Sequence, residues 1–113
     1  MRRKMLSQGI SPELAQADVI VTNPTHFAVA LRYDSESMAA PKVVAKGQRA
    51  VAREIMRLGR MHGIEIVQNP PVARSLFKSC DLGGPVPEAL YAVVAEIFAA
   101  VYRRRQVRQA RRR

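Results

Sequence analysis

Tryptophan is absent from this chain of 113 residues, cysteine occurs once and histidine twice. A single thiol, Cys80, cannot close an internal disulfide, and its placement is that of a small buried hydrophobe at a helix end. With only His26 and His62 beside it there is no ligand set at metal-binding spacing, so neither a metal nor a cofactor is expected. Long apolar runs are also missing. Charged or polar residues interrupt every hydrophobic stretch well before the roughly 18 residues a bilayer span requires. The basic start, Met1-Arg2-Arg3-Lys4, is not followed by the apolar segment of a secretory signal. Nor do the residues offer a Ser/His/Asp order, a carboxylate pair or a phosphate-cradling glycine loop, so a turnover enzyme is not expected.

Acidic residues number nine against 19 basic ones, giving a net charge of +10, but the imbalance is confined to the ends. Seven arginines lie in Arg103–Arg113, and Arg2, Arg3 and Lys4 open the chain. The nine basic residues that remain in the body match its nine acidic ones, so the body is neutral. An arginine tail joined to an Arg49, Arg53, Arg57, Arg60 stripe motivates one reading, a small basic nucleic-acid-binding protein. Against it, no binding module is recognisable and no stacking aromatics interleave the basic residues, so no specific nucleic acid is expected.

What is present is a 48% hydrophobic content organised by period. Ser11-Pro12-Glu13 has the cap, first-turn proline and first-turn acid of a short helix. Val19-Ile20-Val21-Thr22 is β-branched throughout and reads as a buried strand. Phe27, Val29, Leu31 and Tyr33 alternate with smaller or polar residues as a second strand, Lys42–Lys46 makes a third before a break at Gly47, and Ile64–Val67 a fourth. Helical spacing runs from Gln48 to His62, with Gly63 as its stop, and from Asn69-Pro70-Pro71 to about Ser79. A last, largely buried helix starts at Pro87-Glu88 and places Leu90, Val94, Ile97 and Val101 in one stripe, with fraying expected beyond Arg105. The expected fold is α/β: a mixed central sheet of about four strands flanked by helices, with an N-terminal helical lead-in and a long C-terminal helix. The expected organisation is a lead-in over 1–18, one domain over 19–102 and an arginine-rich tail over 103–113.

The chemistry-bearing motif is Asn23-Pro24-Thr25-His26. Asparagine ordinarily damages a chain when the next backbone nitrogen attacks its side-chain carbonyl, but proline's nitrogen carries no hydrogen and cannot. The remaining route is attack by the Asn23 side-chain nitrogen on Asn23's own carbonyl carbon, which closes a succinimide and expels the Pro24 nitrogen. A turn can supply the geometry, worth an effective molarity of roughly 10⁵ to 10⁸ M at best. Thr25 can brace that turn through its hydroxyl, and His26 can polarise the scissile carbonyl, orient the turn or move a proton. The same dipeptide at Asn69-Pro70 serves as a plain helix start, so the dipeptide alone does not specify cleavage.

The run Val19-Ile20-Val21-Thr22-Asn23-Pro24-Thr25-His26-Phe27-Ala28-Val29-Ala30-Leu31 resembles the FlhB/YscU family of type III export-switch proteins. Ala40–Gly47, Asn69–Arg74 and Pro87–Tyr102 are similar to the family in the same order, and the wording of Phe27–Leu31 is nearer the flagellar branch. The resemblance implies a single-turnover cut between Asn23 and Pro24, with Asn23, Pro24, Thr25 and His26 at the motif positions, two pieces that stay associated, and control of the switch in export specificity. It implies as partners other export-gate proteins, secretion substrates and a ruler-type length-control protein, at the cytoplasmic face of the bacterial inner membrane. Family members carry a multi-helix membrane region that this sequence lacks, so membrane association is expected through an absent upstream region or through partners. Lys42, Lys46 and the adjoining loop are candidates for the partner surface because they follow the motif and resemble family positions.

Overall fold

Val19, Ile20 and Val21 are fully buried, and the strand they form, β2 (Val19–Asn23), lies inside the sheet with a neighbour on each side. The computed structural model describes residues 8–24 and 26–112. β2 pairs antiparallel with β3 (Phe27–Arg32) and parallel with β5 (Glu65–Gln68). β4 (Lys42–Gln48) follows on the far side of β3, and a two-residue strand, β1 (Gly9–Ile10), lies against β4, giving the order β1-β4-β3-β2-β5.

Period-two alternation assigns the strand residues to two helical layers, except in β4, where a register shift opposite Ala30 and Leu31 puts the adjacent Val44 and Ala45 in one layer. Val19, Val21, Val29, Leu31 and Val43 face α2 (Pro70–Ser79) and α3 (Tyr91–Arg112), packing with Leu76, Val94, Phe98 and Val101. Ile20, Ala28, Ala30, Val44 and Ala45 face the other way, onto Ala52 and Ile55 of α1 (Ala50–Met61) and onto Leu14. The small residues of β3 and β4 on this second face allow α1 to approach closely, so both faces are dry.

The ends of the helices follow their caps. Ser11 accepts a hydrogen bond from the Glu13 N–H and starts a 3-10 turn over Pro12–Gln16. Asn69 accepts from the Val72 N–H at the head of α2, and α1 stops at His62 and Gly63, the latter at φ 71, which glycine adopts without strain. Cys80 caps the end of α2 and is buried, as expected.

Several expectations need correcting. The sheet has five strands, because β1 pairs with β4. Gly47 does not break its strand. β4 runs through it to Gln48, where a side chain at Gly47 would strike Val51. α3 buries only the stripe of Val94, Ile97, Phe98 and Val101, while Tyr91 and Tyr102 stay exposed. The helix also continues past Arg105 to Arg112, because Arg104 pairs with Glu65, Arg105 lies beside Asp18, and arginine is itself a good helix former. Lys46 is buried, which removes it from any partner surface, and Lys42 is occupied by an ion pair with Glu13 at 2.8 Å. The Lys46 ammonium donates to the carbonyls of Phe77 and Cys80 at 2.7 and 2.6 Å and sits 4.7 Å from the Phe77 ring centre. A cation at the C-terminus of α2 satisfies carbonyls that lack helical partners. Burial lowers its pKa from the ordinary lysine value.

Candidate functional site

The antiparallel register sets Asn23 opposite Phe27, leaving residues 24–26 to connect β2 to β3. Asn23 is the last residue of β2 and half-buried, whereas Pro24 and His26 are exposed. The turn closes by a hydrogen bond from the His26 N–H to the Asn23 carbonyl oxygen at 2.9 Å. Pro24 occupies the second position of this four-residue turn, where its fixed φ is already correct. Asn23, Pro24 and His26 are therefore brought together in one tight turn. The expected bracing by Thr25 lies outside the described residues.

The carbonyl that accepts from His26 is the one that joins Asn23 to Pro24. An N–H aimed at this oxygen withdraws charge from the carbon and stabilises the oxyanion that forms when a nucleophile adds there. The donor is backbone, so the sequence could not distinguish it from the roles open to the imidazole. The His26 ring lies 6.5 Å from the Phe27 ring and is exposed to water, available for proton transfer.

Both flanks of the turn are pinned. Thr22 accepts at its carbonyl from the Asn69 N–H at 2.9 Å, and His26 accepts at its carbonyl from the Arg49 N–H at 3.1 Å. Phe27 is held by the Phe77 ring, 4.8 Å away between centres. Sequence reasoning found Asn69 only as a helix cap and Arg49 only as part of a basic stripe. The signal for their second role is a contact between strand and helix ends that no local pattern encodes.

A second feature lies at the other end of β3, whose six residues span roughly 20 Å at about 3.3 Å each. Tyr33, Ala40, Pro41, Tyr91, Ala95 and Phe98 line an open apolar groove of about 390 Å³ between α3 and the β3–β4 connection. Phe98 meets Tyr33 and Tyr102 edge-on at 6.2 and 5.8 Å between ring centres, a favourable aromatic arrangement in the lining of the groove.

Among the described residues no group of side chains is arranged to hold a metal ion, and no helix is long and apolar enough to cross a membrane. Burial pushes the Cys80 thiol up to about 11, with Lys46 opposing the shift and Asp81 adding to it. The thiolate fraction near pH 8 is then reduced by about two orders of magnitude from that of a free cysteine. We expect iodoacetamide to leave Cys80 unmodified in the folded protein at pH 8 and to label it fully in denaturant, as read by intact mass. Rapid labelling of the folded chain contradicts this placement.

Comparison with known proteins gives a consistent set of likenesses. The model of the FlhB HrpN YscU SpaS family matches residues 1–101. The flagellar biosynthetic protein FlhB of Yersinia enterocolitica is 50% identical over 101 residues, covering 89% of this chain and 26% of that protein. The FlhB of Bacillus subtilis is 43% identical over 105 residues, covering 93% of this chain and 29% of that one. The chain thus spans less than a third of the length of these curated relatives. The crystal structure of the cytoplasmic domain of FlhB from Shewanella putrefaciens superposes with a TM-score of 0.83 at 40% identity, covering 98% of this chain and 81% of that one. A mutated EscU C-terminal domain superposes with a TM-score of 0.76 at 30% identity, covering 79% of this chain and 89% of that one.

Proposed function

The chain belongs to the FlhB HrpN YscU SpaS family, on its flagellar FlhB-like side, and from that premise we propose that it cuts its own backbone between Asn23 and Pro24 and thereby switches which proteins an export apparatus accepts. The observation that carries this reading is the scissile carbonyl of Asn23, set in a closed turn with the His26 N–H already on its oxygen.

The reaction needs no external nucleophile. The Asn23 Nδ2 adds to the Asn23 carbonyl carbon, forming the C–N bond of a five-membered ring and placing negative charge on the oxygen that His26 N–H holds. The Nδ2 gives up a proton, and the Pro24 nitrogen gains one as its bond to that carbon breaks. In this reading the exposed His26 imidazole carries that proton between the two nitrogens. Pro24 leaves as a free secondary amine, and water later opens the succinimide at the end of the first piece. Each chain reacts once, so no enzyme turnover is involved.

As part of the same reading, the partners are other export-apparatus proteins, secretion substrates and a ruler-type length-control protein, met at the cytoplasmic face of the inner membrane. The groove beside Ala95 and Phe98 suits an apolar side chain of a secretion substrate. Nucleic-acid binding is less well supported, because Arg104 and Arg108 face Glu65 and Arg105 faces Asp18 within the same chain.

Denaturing mass spectrometry tests the cut: folded protein should resolve into residues 1–23 and 24–113. A chain that stays whole for days at neutral pH overturns the reading. For the groove, a carboxylate introduced by Ala95→Glu must be desolvated by any apolar occupant. We expect it to weaken binding of secretion substrates by about two orders of magnitude, measured by calorimetry. Cleavage, at the far end of β3, should proceed at the parent rate.

A further inference from the structure

Arg49 is the only non-glycine residue with positive φ among the described residues, at φ 54 and ψ −117. β4 ends at Gln48 and α1 begins at Ala50, so this one residue must turn a strand into a helix. Its side chain is exposed and makes no capping bond, so it does not compensate for the backbone. A non-glycine residue persists in such a conformation only where the surroundings over-determine it. Here they do. The Arg53 N–H donates to the Arg49 carbonyl at 3.0 Å, and Val51 closes over Gly47 so tightly that a Cβ there would lie 2.2 Å from Val51 Cγ1.

The N–H of Arg49 adds one more bond to the pairing of β3 with β4 before the chain turns. It reaches across from the end of β4 to the His26 carbonyl, 3.1 Å away, while the His26 N–H in turn holds the scissile oxygen. Across the turn, Asn69 plays the matching part. Its N–H pins the Thr22 carbonyl while its side chain is itself engaged at the head of α2. Two strand-to-helix junctions thus grip the peptide groups on either side of Asn23-Pro24. Because φ of Arg49 turns the chain only after its N–H, the strained residue lets β4 keep its bond to His26 up to the point where α1 begins.

We propose that the Arg49 backbone is a positioning element for the scissile turn, its N–H fixing His26 and, through it, the donor on the Asn23 carbonyl, while its strained φ lets the chain enter α1 directly after that N–H. This rests on the cleavage reading given above. Side-chain replacement leaves the N–H in place, so the deciding change is an amide-to-ester substitution at position 49, which exchanges the N–H for an oxygen. The chain is assembled by ligation in denaturant, and refolding starts the clock. An ester at Leu90, whose N–H donates to the Pro87 carbonyl remote from the turn, removes one backbone bond of the same kind and serves as control. We expect the ester at 49 to slow fragment formation by about tenfold or more, since small displacements of reacting groups carry losses up to roughly 10². The Leu90 ester should cleave at the parent rate. Equal rates for the two esters overturn the proposal, whatever their thermal midpoints. If the unmodified chain itself does not cleave, the cleavage reading fails and this inference falls with it. Should the ester at 49 not refold, amide hydrogen exchange in the uncleavable Asn23→Ala chain decides. Protection of the Arg49 N–H by about 100-fold or more supports the clamp, and exchange at the rate of an open loop overturns it.

Discussion

We expect Asn23→Ala to leave the chain whole. In the proposed reaction Asn23 supplies the nucleophile, and alanine at that position has no nitrogen to offer, so residues 1–23 and 24–113 should not separate even after prolonged incubation. The expected loss of rate is at least roughly 10³-fold, because the intramolecular advantage of about 10⁵ to 10⁸ M disappears and only background hydrolysis remains. The fold should survive, since Asn23 is half-buried at the end of β2 and its pairing with Phe27 is made by backbone. Intact mass under denaturing conditions, taken alongside a thermal melt, separates a chemical defect from an unfolded chain. A cut that persists in Asn23→Ala shows that the nucleophile lies elsewhere.

Pro24→Ala sharpens the same argument by changing the product. Alanine restores an N–H at position 24, and that nitrogen can attack the Asn23 side-chain carbonyl, losing ammonia and keeping the backbone joined. The mass should then rise by about 1 Da per chain after hydrolysis, in place of two fragments. The proline thus acts twice: it closes the ordinary route of asparagine decay, and it sets φ in the turn. An unmodified chain that deamidates rather than splits contradicts the first of these roles.

The extent to which this arrangement could be read from residues alone depends on how local its causes are. β2 and β3 were legible because Val19-Ile20-Val21 is β-branched and Phe27, Val29 and Leu31 keep a strict period of two. β1 was not, since Gly9-Ile10 is too short to carry a period and forms only because β4 offers it an edge. Gly47 read as a break from composition, yet its lack of a side chain is what lets Val51 cover the strand. Lys46 read as part of the partner surface because it follows the motif and resembles family positions, whereas the carbonyls at the end of α2 supply it with buried partners. At the site, the chemistry proposed for Asn23-Pro24 rests on covalent structure alone, and the turn that joins Asn23 to His26 is what the fold adds. The grip of Arg49 and Asn69 was not legible, because it arises where distant strand and helix ends meet.

After the cut the two pieces should remain one particle, and the reason lies in strand order. The first piece carries β1, the 3-10 turn and β2, and β2 lies between β3 and β5 of the second piece. Leu14, Val19, Ile20 and Val21 are buried, each contributing about 1.5–3 kcal/mol. Ion pairs also cross the cut: Glu13 meets Arg32 and Lys42 at 2.8 Å, and Asp18 lies near Arg105. These are about a third exposed at Glu13, so each is worth less than about 1 kcal/mol. The hydrogen bond from Lys42 lowers the Glu13 pKa, followed by the contribution of Arg32, so this part of the attachment is full above the ordinary glutamate range and is lost as pH falls through the lowered value. Burial therefore outweighs charge. High salt or mild acid should leave the pieces together in gel filtration, and Glu13→Ala should change little. Ile20→Ala, which empties a fully buried site between the sheet and α1, should cost about 2–5 kcal/mol. It should therefore lower the denaturant midpoint for separation of the pieces sharply. Val21→Asp should prevent stable assembly, because the carboxylate would lie among apolar Val29, Leu76 and their neighbours, and the cation on that face, Lys46, lies two strands away with its ammonium bound to the Phe77 and Cys80 carbonyls. Separation by salt alone, with Ile20→Ala unaffected, would reverse this order of causes and place the attachment in the charges that flank β2.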